Sequence, residues 1–138
     1  KFYELFGESV EKRMAGKEVE TFLSVDMEIG AEDVDWQLLS EIRQMEPFGI
    51  GNPEPVFVMR NMNISDLKIC GNGHKHLKLS LNSKNGNPKI FDSIGFSMGD
   101  KFSSLKKGDT IDIVFNLRED EWNGSKKMQL NLLDIKIL

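Results

Sequence analysis

Three prolines and two glycines fall within residues 46–55, which read EPFGIGNPEP. Proline fixes the backbone φ angle and has no N–H, and glycine opens positive φ angles, so this segment is neither a helix interior nor a central strand. It separates a helical apolar pattern from a series of strand patterns, and we predict a rigid elbow at residues 47–55. An ordinary loop is the alternative, because such dipeptides are common in turns. The residues assigned to the structural elbow are Pro47, Phe48, Gly49, Gly51, Asn52, Pro53 and Pro55.

Residues 1–46 carry the patterns of two helices and one strand. Apolar residues recur every three or four positions over 1–17, which predicts a helix. Apolar and polar residues alternate over 21–29, which predicts a strand. A second helical pattern begins at Ala31 or Asp33. This α+β segment holds five Lys/Arg against twelve Asp/Glu, and it is too short for a complete domain.

After the elbow the apolar pattern changes to a period of two, which is typical of strands with one buried face. A phase slip at Leu132-Leu133 predicts a β-bulge in the last strand. One or two helical turns are predicted over 98–106, ending before Gly108. Turns rich in glycine and asparagine are predicted at 71–73, 85–88 and 123–124. The five predicted strands cover 56–69, 76–81, 90–96, 110–117 and 128–137.

Five strands with a short helix between the third and the fourth is the order of an OB-fold, a Greek-key barrel that binds oligonucleotides or oligosaccharides. The predicted fold is therefore mainly β, with an α+β N-terminal part. It is a five-stranded OB-fold barrel over 56–138, preceded by two helices and a strand. An SH3-like barrel is the alternative fold, although it usually lacks the helix after the third strand.

Composition limits the function further. Residues 47–138 hold 13 Lys/Arg and 10 Asp/Glu, whereas the whole chain has a net charge of −4. The two halves therefore suit different partners. The single cysteine, Cys70, excludes an internal disulfide and suits a reducing, cytoplasmic location. No apolar run approaches the length of a membrane span, so no membrane partner is expected. Because residue 1 is Lys, we expect the chain to be a piece of a longer protein.

The hairpin between the fourth and fifth predicted strands places an aromatic residue among basic ones. Single-stranded nucleic acid is bound by rings on which bases stack and by cations that follow the phosphates. Acidic residues 119–121 in the same loop oppose this, and packing of Trp122 on the barrel end is the alternative. The candidate nucleic-acid contacts are His76, Lys78, Arg118, Trp122, Lys126 and Lys127. Cations that are either further contacts or solvated surface are Arg60, Lys68, Lys75 and Lys89.

No catalytic or metal-binding set is evident. Cys70, His74 and His76 are close in sequence, but their spacing matches no standard zinc pattern and only one thiol is present. The sequence shows neither a Ser/His/Asp arrangement with credible spacing nor a dense Asp/His cluster for two metal ions. We therefore predict no catalytic residue, metal or cofactor in this chain, and no enzyme activity of the chain by itself.

The elbow and several later segments together resemble one protein family. These segments are MEPFGIGNPEPVF at 45–57, GHKHLKL at 73–79, IGF at 94–96, EWNG at 121–124 and QL at 129–130. In this order they resemble the C-terminal region of RecJ, the bacterial exonuclease specific for single-stranded DNA. The resemblance spans most of residues 20–138. It implies that residues 1–46 are the end of a DHH-associated domain and residues 56–138 an OB domain.

The resemblance also implies a function. The full enzyme degrades single-stranded DNA from the five-prime end in recombination and repair, with Mn²⁺ or Mg²⁺ in an upstream DHH domain, and its OB domain helps to hold the strand. One residue departs from the family pattern, because Asp120 stands where Asn is usual. We expect a non-catalytic, single-stranded-DNA-binding part of such an exonuclease. The alternative is a module that docks a repair partner such as a single-strand-binding protein, which the acidic first half favours.

Overall fold

The computed structural model describes residues 22–73, 75–83 and 89–138. The helix predicted over 1–17 and the turn predicted over 85–88 lie outside these ranges. The described elements, in chain order, are β1 (Met27–Glu28), α1 (Trp36–Gln44), β2 (Phe57–Cys70), β3 (His76–Ser83), β4 (Ile90–Gly95), β5 (Thr110–Trp122) and β6 (Ser125–Ile137).

Strands β2 to β6 form a closed five-stranded barrel. The order in the sheet is β1-β2-β3-β4-β6-β5, and an additional pairing between β2 and β5 closes the barrel. Neighbouring barrel strands are antiparallel except β4 and β6, which are parallel. This is the Greek-key barrel of an OB-fold, and the predicted fold class is confirmed.

The barrel interior is filled by the alternate residues that the period of two predicts. On β3, Leu77, Leu79 and Leu81 are buried, while Lys78 between them is exposed. Phe115 on β5 is fully buried in the same core. Because apolar area removed from water contributes roughly 25 cal/mol per Å², this inward row of large side chains stabilises the closed barrel.

The segment before the elbow shares one core with the barrel. β1 pairs in parallel with the start of β2, and α1 lies beside β5. Val34, Leu39 and Ile42 belong to the same cluster of buried apolar residues as the barrel interior. The core is therefore continuous across residues 46 and 47, while the division into domains at 1–46, 47–55 and 56–138 stays a prediction.

The outward face of β5 is also covered. Asp112 and Asn116 alternate with the apolar residues that fill the barrel, so they point away from its interior, yet both are buried. Asp112 accepts hydrogen bonds from Arg60 Nη1 (3.1 Å) and the Asn61 backbone N–H (3.0 Å). These bonds satisfy the buried carboxylate and hold Asn61, whose φ is +56°, at a break in the register of β2.

Two elements before the elbow differ from the prediction. In the described part of the strand predicted over 21–29, only Met27–Glu28 is regular, where it pairs with Phe57 and Val58 of β2. The helix begins at Trp36, later than Ala31 or Asp33. Asp33 instead accepts a hydrogen bond from Gly30 N (2.9 Å) in a turn, and Asp35 caps the helix by accepting from Leu38 N (2.8 Å).

The predicted helical turns over 98–106 are non-helical turns. Three backbone hydrogen bonds hold them. They run from Phe102 N to Met98 O (3.1 Å), from Ser103 N to Asp100 O (3.4 Å) and from Leu105 N to Phe102 O (3.1 Å). Met98, Phe102 and Leu105 are all buried. Three apolar side chains therefore enter the core from an irregular segment.

The last hairpin follows the prediction closely. Asn123 and Gly124 have φ angles of 49° and 75°, as a two-residue type I′ turn requires. Val114 pairs with Asp134 but Phe115 pairs with Leu132, so Leu133 is the extra residue of the predicted bulge. The paired strands extend further toward the turn than predicted, ending at Trp122 and beginning at Ser125.

Candidate nucleic-acid interface

An open groove with a volume of about 720 Å³ crosses the outside of the barrel. The walls and floor come from β2, β3, β4 and the hairpin of β5 and β6. This is the face that OB-folds use for oligonucleotides and oligosaccharides. The groove is lined by Asp66, Lys68, Lys78, Leu79, Ser80, Asp92, Ser93, Asp120, Asn123, Ser125, Lys127 and Gln129.

The strand register arranges four polar side chains in one line across the groove. Asp66 pairs with Ser80, Ser80 pairs with Asp92, and Asp92 pairs with Gln129. Because side chains of paired residues point to the same face, these four groups form a continuous polar row over β2, β3, β4 and β6. We call Asp66, Ser80, Asp92 and Gln129 the polar row.

Two lysines face each other beside the polar row. Lys68 on β2 pairs directly with Lys78 on β3, and both are exposed. Neither forms an ion pair with a residue that the structure describes. Like charges at directly opposite positions repel, so an anion between them would relieve the repulsion. We call Lys68 and Lys78 the lysine pair.

The groove as a whole is electrically balanced. Lys127 on the hairpin adds a third exposed cation, also without an ion pair in the described ranges. Against the three lysines stand three carboxylates, those of Asp66, Asp92 and Asp120. The groove is therefore a set of separate positive and negative positions, not a uniformly basic channel.

Lys126 and Lys127 lie on opposite faces of β6, because successive strand residues alternate. Lys127 lines the groove, whereas Lys126 Nζ lies 3.0 Å from Glu119 Oε1. Glu119 Oε2 also lies 2.8 Å from Nη2 of Arg43 on α1. The hydrogen bond from Lys126, and after it the bond and charge of Arg43, lower the pKa of the Glu119 carboxyl.

Arg118 is held at the elbow and does not line the groove. Its Nε and Nη2 atoms donate to the two carboxylate oxygens of Glu54, at 3.0 and 2.6 Å. This two-bond pairing raises the pKa of Arg118, although partial burial opposes the effect. Both geometry and charge therefore commit the guanidinium to Glu54.

His76 is engaged in the turns at the end of β3 and does not line the groove. Its Nδ1 atom accepts a hydrogen bond from Ser97 N (3.2 Å), and its ring meets that of Phe96 edge-on at 5.3 Å. A side chain on Gly71 would lie 2.5 Å from the imidazole ring. The imidazole thus packs between two turns.

Two further predictions concern aromatic and metal chemistry. Trp122 ends β5 opposite Ser125, but its side chain lies outside the described part of the structure. His74 also lies outside that part. Among the residues that are described, no three His, Cys, Asp or Glu side chains form a group able to hold a metal ion.

The elbow is held by side-chain amides. Asn52 Nδ2 donates to Met45 O (2.7 Å) and Pro47 O (3.0 Å), and Asn116 Nδ2 donates to Pro55 O (2.7 Å). Gly49 and Asn52 also exchange two backbone hydrogen bonds, at 2.8 and 3.1 Å. Neither Gly49 nor Gly51 has a positive φ angle or a neighbour within 4 Å of an added Cβ, so the freedom of glycine is not used there.

Sequence reasoning missed part of this site. Lys68 was left open as either a further contact or solvated surface, and Asp66, Ser80, Asp92 and Gln129 were not singled out as site residues. Alternation shows that each faces outward, but only the register between strands shows that they form one row. Such non-local pairing has no signal in a single sequence.

Barrel topology defines the chain as an OB-fold domain, and its groove lies on the face that OB-folds use for oligonucleotides and oligosaccharides. The family model of the RecJ OB domain matches residues 25–134. The chain belongs to this family, and the resemblance predicted from the elbow is confirmed.

Individual RecJ proteins agree with this assignment. The chain is 29% identical over 113 residues to the single-stranded-DNA-specific exonuclease RecJ of Bacillus subtilis (strain 168), covering 82% of this chain and 14% of that protein. Two crystal structures of RecJ from Thermus thermophilus, in complex with Mn²⁺ and with Mg²⁺, match 72% of this chain at 26% sequence identity. Their TM-scores are 0.54 and 0.53. The chain spans 13% and 14% of those structures. Among the described residues no helix is long and apolar enough to span a bilayer.

Proposed function

We propose that this chain is the non-catalytic, single-stranded-DNA-binding part of a cytoplasmic, RecJ-like exonuclease that acts from the five-prime end in recombination and repair. Membership of the RecJ OB domain family supports the class of enzyme. The observation that carries the binding role is the lysine pair, two opposed cations in an open groove on the ligand-binding face of the barrel.

The groove binds the strand by contacts with its phosphates. Lys68 and Lys78 offer two adjacent ammonium groups to one phosphate or to two neighbouring ones, and Lys127 offers a third from the hairpin. Each cation that neutralises a phosphate releases condensed counterions, so binding weakens as salt rises. Because the lysines stand on paired strands of a closed barrel, their spacing is set before the strand arrives.

Metal chemistry belongs, in this proposal, to other parts of the parent enzyme. The resemblance implies Mn²⁺ or Mg²⁺ in an upstream domain, and the two RecJ structures from T. thermophilus contain these ions. The part left to this chain is to bind and orient the strand. Its elbow, with Asn52 and Pro55 hydrogen-bonded at either side, would set the direction of the groove relative to the preceding domain.

A fluorescence anisotropy titration tests the binding role. Labelled single-stranded and duplex oligonucleotides of about 15 nucleotides are titrated with the chain at several salt concentrations. We expect preferential single-strand binding, with a slope of log K against log salt near about −2 for three phosphate contacts. Lys68→Ala/Lys78→Ala should weaken binding and reduce the steepness of the slope by about 1.4.

A matched control separates the groove from general charge. Lys107→Ala/Lys136→Ala removes the same net charge from exposed positions outside the groove, and should leave both affinity and slope close to those of the unmodified chain. Equal loss in both double variants, or equal binding of duplex and single strand, would contradict a single-strand groove at the lysine pair.

A second candidate is a module that docks a repair partner such as a single-strand-binding protein. Exposed apolar side chains before α1 favour it, namely Phe22, Leu23, Val25 and Met27. An apolar interface weakens little with salt. Salt-insensitive binding of a single-strand-binding protein, together with absent DNA binding, would therefore favour this candidate.

A further inference from the structure

The polar row lies between the cations of the groove. Along β2 and β3 the lysine pair is two residues to one side of Asp66 and Ser80, and along β6 Lys127 is two residues to the other side of Gln129. Two residues along a strand span about 7 Å. A strand whose phosphates meet the lysines would therefore place its bases over the polar row.

The polar row is rich in acceptors that are not otherwise used. Asp66 and Asp92 are exposed, and neither has an ion pair or a side-chain hydrogen bond to any residue that the structure describes. An ionised carboxylate accepts hydrogen bonds and donates none. The described lining contains no aromatic ring, and its polar side chains offer hydrogen bonds to the edges of bases.

We propose that the groove selects bases that carry an exocyclic amino group, and therefore prefers cytosine to thymine, with Asp66 and Asp92 as the specificity-determining residues. The N4 amino group of cytosine donates to a carboxylate, whereas thymine presents the O4 acceptor at the same position. A carboxylate facing O4 gains no hydrogen bond and repels the oxygen. This inference rests on the proposed single-strand binding.

Base selection also accounts for the presence of carboxylates beside the lysines in the groove. Lysines alone would hold any strand through its phosphates, since phosphate contacts carry no sequence information. Carboxylates beside the lysines repel phosphate and so lower the affinity for every strand. Bases that donate a hydrogen bond to a carboxylate regain this lost affinity, and other bases do not. Selectivity follows from this difference between matched and unmatched bases.

Pyrimidine homopolymers give the sharpest test. Labelled (dC), (dT) and (dU) strands of about 15 nucleotides are titrated at one moderate salt concentration and neutral pH. Thymine and uracil share the O4 acceptor and differ by a methyl group, so (dU) separates the exocyclic group from the methyl. We expect (dC) to bind at least about fivefold more tightly than (dT) and (dU).

Asparagine variants assign the effect. Asp66→Asn/Asp92→Asn keeps the shape but adds amide donors that can meet O4, so the preference for (dC) should fall to near unity or reverse. Asp120→Asn removes one negative charge from the same groove outside the polar row. It should raise the affinity for all three strands and leave the ratio between them unchanged.

The outcomes separate this inference from the proposed function. Equal, salt-dependent binding of the three homopolymers by the unmodified chain would overturn the selectivity and leave single-strand binding intact. A preference for (dC) that survives in Asp66→Asn/Asp92→Asn would overturn the assignment of these two carboxylates. Absence of binding to all three strands would contradict the proposed function, and the selectivity with it.

Discussion

Asn52 holds the backbone of the elbow in place through its side chain. Its single amide nitrogen donates to two backbone oxygens, of Met45 and Pro47. Asn52→Asp keeps the size of the side chain but replaces the donor by a charge that faces both oxygens. We expect this change to lower the free energy of unfolding by about 1–3 kcal/mol, measured by urea denaturation.

The matched control for this prediction is Asn72→Asp, the same exchange in the exposed turn between β2 and β3. It should change the free energy of unfolding by less than about 0.5 kcal/mol. Equal losses in the two variants would show that added negative charge, and not the lost donor, destabilises the chain.

Glu119 makes the stability depend on pH. Its pKa is lowered in the folded chain by Lys126 and then Arg43, so its contribution is complete above the ordinary carboxyl pKa and is lost as pH falls through the folded pKa. We expect Glu119→Gln to be less stable than the unmodified chain at neutral pH. The difference should shrink as pH falls below about 4.5, in urea titrations over a pH series.

Glu121→Gln provides the comparison, because Glu121 is exposed and forms no ion pair in the described ranges. Its stability should follow that of the unmodified chain at every pH. A Glu119→Gln deficit that persists unchanged in acid would mean that the side chain acts by packing and not by charge.

At the scale of elements, the turn of the last hairpin carries a backbone requirement. Gly124 has a φ of 75°, where a residue with a Cβ is strained by roughly 1 kcal/mol. Gly124→Ala should lower the free energy of unfolding by about that amount, measured by thermal or urea denaturation. Since Asn123 and Ser125 line the groove, the same variant should also weaken single-strand binding.

Gly51→Ala is the contrasting change within the elbow. Gly51 has neither a positive φ nor a neighbour within 4 Å of an added Cβ. Alanine should therefore leave stability unchanged or increase it by up to about 1 kcal/mol through the unfolded chain. A loss at Gly51 as large as that at Gly124 would contradict this distinction.

Elements were predictable where the local pattern had one physical cause. Alternation places Leu77, Leu79 and Leu81 inside, and the phase slip at Leu132-Leu133 marks a real bulge. The prediction of helical turns over 98–106 was wrong because buried side chains at helical spacing are also compatible with irregular turns. The predicted start of α1 was wrong because Asp33 and Asp35 are both acceptable N-cap residues. Only the structure shows that Asp35 accepts from the helix N-terminus, while Asp33 closes a turn before it.

The candidate site was less predictable than the elements. Of the candidate nucleic-acid contacts, Lys78 and Lys127 line the groove. Arg118, Lys126 and His76 were candidates too, but each binds a partner that lies outside the groove. Composition identifies cations, whereas the partner that neutralises a cation is a property of tertiary structure.

At the scale of the whole molecule, the barrel and the segment before it are bound together. Val34, Leu39 and Ile42 lie in the common core, and Asp26 Oδ2 accepts from Val56 N (2.8 Å). The ion pair of Arg43 with Glu119 joins α1 to β5, and that of Glu54 with Arg118 joins the elbow to β5. All of these contacts except the Glu54–Arg118 pair cross the predicted boundary at residue 46, and that pair crosses the predicted boundary at residue 55. We therefore expect the barrel to depend on the preceding segment for its stability.

Truncation at that boundary tests this view. A fragment of residues 47–138 would lose the apolar side chains that cover β2 and β5, and each fully buried aliphatic side chain contributes about 1.5–3 kcal/mol. We expect the fragment to be at least about 5 kcal/mol less stable than the whole chain or to be unfolded, measured by urea denaturation. The whole chain should unfold in one cooperative transition.

A point variant distinguishes lost packing from a disturbed terminus. Leu39→Ala/Ile42→Ala keeps the chain intact but removes two buried side chains of α1, and each such change costs about 2–5 kcal/mol. If lost packing in the shared core destabilises the fragment, the free energy of unfolding of this variant should fall nearly as far as that of the fragment. The opposite result has two parts: the fragment of residues 47–138 is as stable as the whole chain, and the double variant affects only a separate early transition. That result would establish the barrel as an autonomous domain.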